Sequence, residues 1–192
     1  LENAEINALK QILGLQQNKI YTNISELRYG KIMILTDADV DGSHIKGLIM
    51  NFLHTFWPSL LEIDPCFVYA MITPVIKATQ RSNVINFYNL NEFNTWKQNN
   101  NNGKGWNIKY YKGLGTSTAN EAKEYFKEME KNTVKYTNNS ESEVKNDDSI
   151  ELAFKKENAD KRKQWIVNGI QNGETLNHDQ TCISYDHFIN KD

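Results

Sequence analysis

Asp37, Asp39 and Asp41 stand on alternate residues directly behind a short apolar run, Ile32, Met33, Ile34 and Leu35, and Thr36. Carboxylates crowded in this way repel one another. Two unit charges about 4 Å apart cost roughly 4 kcal/mol at an effective dielectric near 20. A hard divalent cation removes that cost, and carboxylate oxygen is the ligand magnesium prefers. The three residues therefore read as a magnesium site. In an extended segment all three point to one side, with Ala38 and Val40 on the other.

Three other readings compete. Acidic turns after strands are often solvated loops, although such loops seldom carry the order D-x-D-x-D-G. A calcium loop of the EF-hand type begins alike but needs a preceding helix and a glutamate at its twelfth position. Here a strand precedes, and the twelfth residue counted from Asp37 is Leu48. A magnesium-dependent phosphatase would use its first aspartate to attack phosphorus and would need a later acidic pair closing another apolar strand. The Asp147–Asp148 pair lies in a polar run.

The elements that must position these acids are legible nearby. Ile32 to Leu35 reads as a buried strand. After Gly42, the residues Ile45, Leu48, Ile49, Phe52, Leu53 and Phe56 recur at helical spacing, ending near Trp57-Pro58. Strand, acidic turn and helix make half of a βαβ unit, and ligands of open α/β sheets bind at the carboxyl ends of strands. A second chemical signal is Lys112-Gly113-Leu114-Gly115-Thr116, which follows the strand-like run Trp106–Tyr111. Thr118 and Glu121 form a capping box that opens a helix with Ala122, Tyr125, Phe126 and Met129 on its apolar face. Free N–H groups at such a turn attract anions, and a lysine at its mouth fits phosphate.

The remaining chain is mixed. Residues 2–13 predict an amphipathic helix stopped by Gly14. Asn18–Tyr29 reads as a polar connection, with Ser25 capping a single turn. Strands are expected at 67–72, 75–79 and 84–88, and a short helix capped by Asn91. The asparagine run to Gly103 reads as a mobile surface loop. Thr133–Tyr136 reads as an edge strand, Thr137–Ser149 as flexible, and Lys155–Val167 as a helix with Phe154, Trp165 and Ile166 as apolar contacts. The last stretch, from Ile183 to Asp192, shows no clear stop, and no internal repeat is visible.

Composition bounds the answer loosely. The chain has 192 residues, 39% of them hydrophobic, and a formal net charge of −2. No global basic field announces nucleic acid, yet a metal site with a few lysines can do that work locally. Cys66 and Cys182 form no C-x-x-C pair, which fits a reducing compartment without structural zinc. No stretch predicts a membrane span or a secretory signal. Leu1 stands where a methionine would, and the expectation is a piece of a longer chain.

The strings LRYGKIMILTDADVDGSHIKGLIMNFLHTFWPSLL, ITPVIKAT and KYYKGLGTSTANEAKEYF resemble the magnesium-binding TOPRIM domain of type IIA DNA topoisomerases. With the ENAEI and YDHFINKD segments, the resemblance runs over nearly the whole chain. D-x-D-x-D-G-S-H-I alone would also suit bacterial gyrase. HIKGL, FWPSLL, ITP-x-IK and KYYKGLGTS are similar to the eukaryotic-type enzyme, or a viral relative of it. The family's E-G-D-S-A strand with its catalytic glutamate, its P-L-R-G-K string, its winged-helix tyrosine and its ATPase domain have no match in these residues. The expectation that follows is the metal half of a cleavage centre, inactive alone.

The resemblance implies an α/β fold: a TOPRIM (Rossmann-like) sheet flanked by helices, with an irregular or helical C-terminal extension. It divides the chain into a TOPRIM domain over residues 1–135, lacking its first strand, and a connector over 136–192. It implies an ATP-dependent isomerase that cuts and reseals double-stranded DNA as a homodimer in the nucleus, or in a host cell if viral, with no membrane. ATP belongs to the full-length enzyme only. Asp37 would be the shared Mg2+ ligand, Asp39 the ligand of a second ion, and Asp41 a support acting directly or through water; Mn2+ or Ca2+ can substitute in binding. His44 is a candidate for phosphate or an outer-shell water, against a packed surface histidine. Lys46 and Lys112 are candidates for DNA phosphate contacts, against plain solvated lysine, with Gly113 and Gly115 at the phosphate turn. Other TOPRIM enzymes, a primase or a nuclease, and a pure metal- and DNA-binding module are the alternatives.

Overall fold

The computed structural model describes residues 3–63, 66–138, 146–172 and 181–191. The fold is mixed α/β, and two compact units divide it. The first unit gathers Leu1–Ile34, Lys46–Ala70 and Val134–Asp192; the second gathers Leu35–Ile45 and Met71–Thr133.

In the first unit, helix α1 (Ala4–Leu13) starts on Asn3, whose side chain accepts from the Ile6 amide at 2.8 Å. It stops at Gly14, which takes the left-handed conformation at φ 75°. The next turn, Ile24–Glu26, is capped by Asn23 and closed reciprocally by Glu26; Ser25, the expected cap, only donates its amide to Asn23. Asn23 wins because a carboxylate three residues on can return the bond.

Strand β1 (Ile32–Ile34) runs parallel to β2 (Val68–Met71), Met33 opposite Tyr69. Between them run α2 (Val40–Phe56) and the short α3 (Ser59–Glu62). Later come β6 (Thr133–Thr137), α6 (Asn146–Phe154), α7 (Ala159–Asn172), β7 (Cys182–Ser184) and α8 (Tyr185–Lys191). The sheet order is β1-β2-β6-β7, so β6 is an inner strand and the edge position expected for it is corrected. Its second neighbour, β7, lies far along the chain and leaves no local signal.

Ser149, at the end of the expected flexible stretch, is buried, and its hydroxyl donates to Asp186. Residues 139–145 of that stretch lie outside the described residues. The expected helix over 155–167 begins instead at Ala159, after a tight turn at Lys156–Asn158. The Ile166 side chain expected to pack is 48% exposed.

The aromatic weight of this unit sits at its centre. Trp57 is 1% exposed, its indole N–H donates to the Gln16 carbonyl at 2.7 Å, and Phe52 meets its ring edge-on at 5.5 Å. Tyr136 stacks on Tyr185 and meets Phe188 edge-on.

The second unit is built on an antiparallel sheet ordered β4-β3-β5, from β3 (Ile76–Gln80), β4 (Asn83–Phe87) and β5 (Asn107–Tyr110). Ile76, Ala78 and Phe87 bury one face with Phe93 of α4 (Leu90–Asn99), against Trp96, Trp106 and Ile108. Asn89 caps α4, not the expected Asn91: its side chain accepts from the Glu92 amide at 2.8 Å, three residues on.

The asparagine run is ordered as well. α4 continues to Asn99, a tight turn follows at Asn101–Gly103, and Gly103 is buried. Asn101 and Asn102 take positive φ, which asparagine tolerates better than most residues. Helix α5 (Ala119–Lys127) carries the expected capping box, yet only Tyr125 of its expected apolar face is buried; Phe126 is 53% exposed.

Among the described residues, no helix is long and apolar enough to cross a membrane. Trp57→Ala should destabilise the chain by about 3–5 kcal/mol, because it removes a buried ring and strands a carbonyl. Phe126→Ser should stay within about 0.5 kcal/mol. Urea unfolding of both variants checks the contrast.

Candidate metal and phosphate site

Three residues past β1 in the chain, Asp37 is exposed, and its carboxylate accepts the Leu114 amide at 2.7 Å. The site thus unites the two signals of the sequence, the acidic turn and the Lys112–Thr116 turn. Two glycines permit it. A Cβ on Gly113 would sit 2.6 Å from one Asp37 carboxylate oxygen and 2.8 Å from the other. A Cβ on Gly42 would sit 1.9 Å from the Asp37 carbonyl oxygen. The Gly42 contact is with backbone and excludes a side chain, whereas a side chain at Gly113 would have to displace the Asp37 carboxylate. Gly115 meets nothing within 4 Å.

The three acids do not share one extended segment, which corrects the alternation argument. Helix α2 opens at Val40, five residues before Ile45, the first position of its apolar pattern. Asp39 is its N-cap: the carboxylate accepts from the Gly42 amide at 2.8 Å, and the Asp39 carbonyl accepts from Ser43 at 3.1 Å. Asp41 falls in the first helical turn, where the positive end of the helix dipole favours an anion. Local capping therefore decides the backbone here. Periodicity could not show it, because Val40 and Asp41 are both exposed.

The other expected residues divide. His44 is exposed on α2. Lys112 is exposed at the mouth of its turn, beside Gly113 and Gly115. Lys46 belongs to the first unit, where its ammonium lies 5.3 Å from the centre of the Phe188 ring.

The donor chemistry of Asp37 and Asp39 fits a hard cation. They offer carboxylate oxygen, and no ion pair forms at either among the described residues. Their number is short of a complete cage: among the described residues, no group of three His, Cys, Asp or Glu is arranged to hold a metal.

Glu121 does more than cap a helix. Glu121 closes the capping box with Thr118, and it also takes Lys109 at 2.8 Å and the Tyr111 hydroxyl at 2.5 Å. Lys77 stands 3.9 Å away, directly opposite Lys109 across β3 and β5. Burial pushes the Glu121 carboxyl up, but the bonds from Lys109, Thr118 and Tyr111 outweigh it and hold the group at about 2, below its ordinary 4.5. Burial and the bond to Glu121 both raise the Tyr111 phenol. Both lysines lie in strings already singled out, ITPVIKAT and KYYKGLGTS; only the strand register reveals that they face one carboxylate.

Residues 71–192 match the family described as the C-terminal associated domain of TOPRIM. The chain belongs to that family. The TOPRIM-associated chain is also 47% identical over 193 residues to DNA topoisomerase 2 of Arabidopsis thaliana, covering 99% of this chain. It is 44% identical over 210 residues to DNA topoisomerase 2-beta of Gallus gallus, covering 100% of it. It spans only 13% and 12% of those two relatives. Among solved structures, the Plasmodium falciparum topoisomerase II DNA-binding, cleavage and re-ligation domain superposes with a TM-score of 0.90 at 41% identity, over 100% of this chain and 25% of that one. The resemblance to eukaryotic-type DNA topoisomerase II and the α/β fold with helix-flanked sheets both hold.

Two outcomes test this geometry. Gly42→Ala should cost about 1–3 kcal/mol through the clash with Asp37, whereas Gly115→Ala should stay within about 0.5 kcal/mol in thermal unfolding. A carboxyl depressed by folding stabilises above its unfolded pKa and loses that contribution as pH falls toward its folded value. Glu121→Gln should therefore be less stable than wild type at neutral pH, and the gap should close between pH 4.5 and about 2. Acid titration of both chains, followed by circular dichroism, reads it.

Proposed function

We propose that this chain is the metal-holding part of the DNA cleavage and religation centre of an ATP-dependent type II DNA topoisomerase, an isomerase that passes one duplex through another. The observation that carries the reading is the match over the whole chain to the Plasmodium DNA-binding, cleavage and re-ligation domain. In this reading residues 1–135 serve as the TOPRIM part and 136–192 as a connector. The assembled enzyme is a nuclear homodimer acting on double-stranded DNA, with ATP used outside this chain.

Asp37 and Asp39 would hold magnesium, with Asp41 supporting directly or through water, and magnesium bound there supplies Lewis-acid stabilisation of charge on a phosphate oxygen. The chain's own residues supply orientation. The Leu114 amide fixes one Asp37 oxygen and leaves the other available. Asp39 is fixed by its bond to the Gly42 amide at the start of α2. Lys112, exposed beside Gly113 and Gly115, brings a point charge to the DNA backbone. His44 and Lys46 are the further candidates for phosphate on α2.

In the full-length protein, Asp37→Ala and Asp39→Ala should each depress DNA cleavage and relaxation by about a hundredfold or more, with ATP hydrolysis far less affected. Lys112→Ala should lower the salt dependence of DNA affinity by about one counterion and leave the magnesium requirement alone. DNA affinity against salt, beside cleavage against magnesium, gives both answers. Full cleavage by Asp37→Ala, or a shifted magnesium curve in Lys112→Ala, would assign these residues elsewhere.

A further inference from the structure

We infer that Glu121 is a positioning residue: it cinches both ends of the Lys112–Ser117 turn and so sets the Leu114 amide on Asp37. A capping box needs only Thr118, and Glu121 does more than cap. Its Oε2 accepts from the Thr118 amide at 2.7 Å, the Thr118 hydroxyl at 3.0 Å and Lys109 at 2.8 Å. Its Oε1 accepts from the Tyr111 hydroxyl at 2.5 Å. A carboxylate offers about four lone-pair sites, and four donors converge on this one, three of them on Oε2. Lys109 and Tyr111 lie where the chain enters the turn, and Thr118 lies where it leaves. One side chain thus ties entry to exit.

The tie is built to hold. The Glu121 side chain is only 12% exposed, so its bonds to Lys109 and Tyr111 are shielded from water. Lys77 and Lys109 are direct cross-strand partners, an arrangement that repels unless an anion lies between them. Lys77 leans on both Glu121 and Glu124. Within the turn, Thr116 returns its amide and hydroxyl to the Gly113 carbonyl, and Ser117 bonds Leu114. The turn is therefore a preformed piece, hung from Glu121, that touches Asp37 through one amide. Its consequence for a cation rests on the reading of Asp37 as a ligand; its geometry does not.

The test measures amide hydrogen exchange by NMR in the 192-residue chain for wild type, Glu121→Ala, Glu121→Gln and Tyr111→Phe. In Glu121→Ala the Leu114 amide should exchange about tenfold faster or more, while Ile76 and Ala78 in the buried strand β3 keep their rates. Glu121→Gln, which retains acceptor capacity, should restore part of the protection. Unchanged exchange at Leu114, or acceleration of Ile76 and Ala78 in step with it, overturns the proposal. Should Glu121→Ala fail to fold, Glu121→Gln and Tyr111→Phe are judged by the same comparison. Titration with Mn2+ adds a second readout, and Glu121→Ala should weaken Mn2+ binding about tenfold, as lost support behind a ligand commonly does. If Asp37→Ala binds Mn2+ as wild type does, the metal reading fails and the exchange data still decide the role of Glu121.

Discussion

A single backbone amide laid on the Asp37 carboxylate organises the acidic turn. The bond from Leu114 is 2.7 Å long, and it exists because the chain withholds side chains at two points. Any Cβ on Gly113 would collide with the carboxylate, and any Cβ on Gly42 would collide with the Asp37 carbonyl. Neither glycine needs a left-handed backbone here; Gly113 is fully extended at φ 175°. Their contribution is proximity. The carboxylate is thereby held by a turn far along the chain, while the Asp37 carbonyl lies close against Gly42.

The charges in the second unit follow one pattern. The Asp39 carboxylate takes one amide at the start of α2, and Glu121 an amide, two hydroxyls and a lysine. Asp41 lies in the first turn of α2, where the helix dipole favours it. Glu121 is crowded with donors, whereas Asp37 and Asp39 each take one amide and keep capacity to spare. That difference separates the acid that holds the turn from the two that have oxygen to offer a cation.

What the sequence made legible was local. Gly14 stops α1, and Thr118 with Glu121 opens α5, because each device is complete within four residues. The acidic turn and the Lys112–Thr116 turn were both visible as chemistry, but their meeting was not. Where several asparagines and serines compete to cap, the residue whose partner lies at the right offset wins; hence Asn23 over Ser25 and Asn89 over Asn91. The inner place of β6 depends on β7 and is invisible in either strand alone. The asparagine run looked structureless by composition, yet Trp96 and Ile108 close over Gly103 and give it a shape. Aromatic burial overrode polarity there.

The Asp37–Leu114 bond also has a place in time. It closes 77 residues of chain. The entropy of joining two chain positions grows with the length between them, and long-range contacts form only once that loss is offset. The β3–β4 hairpin closes over two residues, Arg81 and Ser82, and needs no such help. An amide that depends on β5, the turn and α5 being in register cannot nucleate folding. On loop-closure grounds the bond to Asp37 is expected after the β3–β4 hairpin, whose own ladder includes none of the residues of the acidic turn.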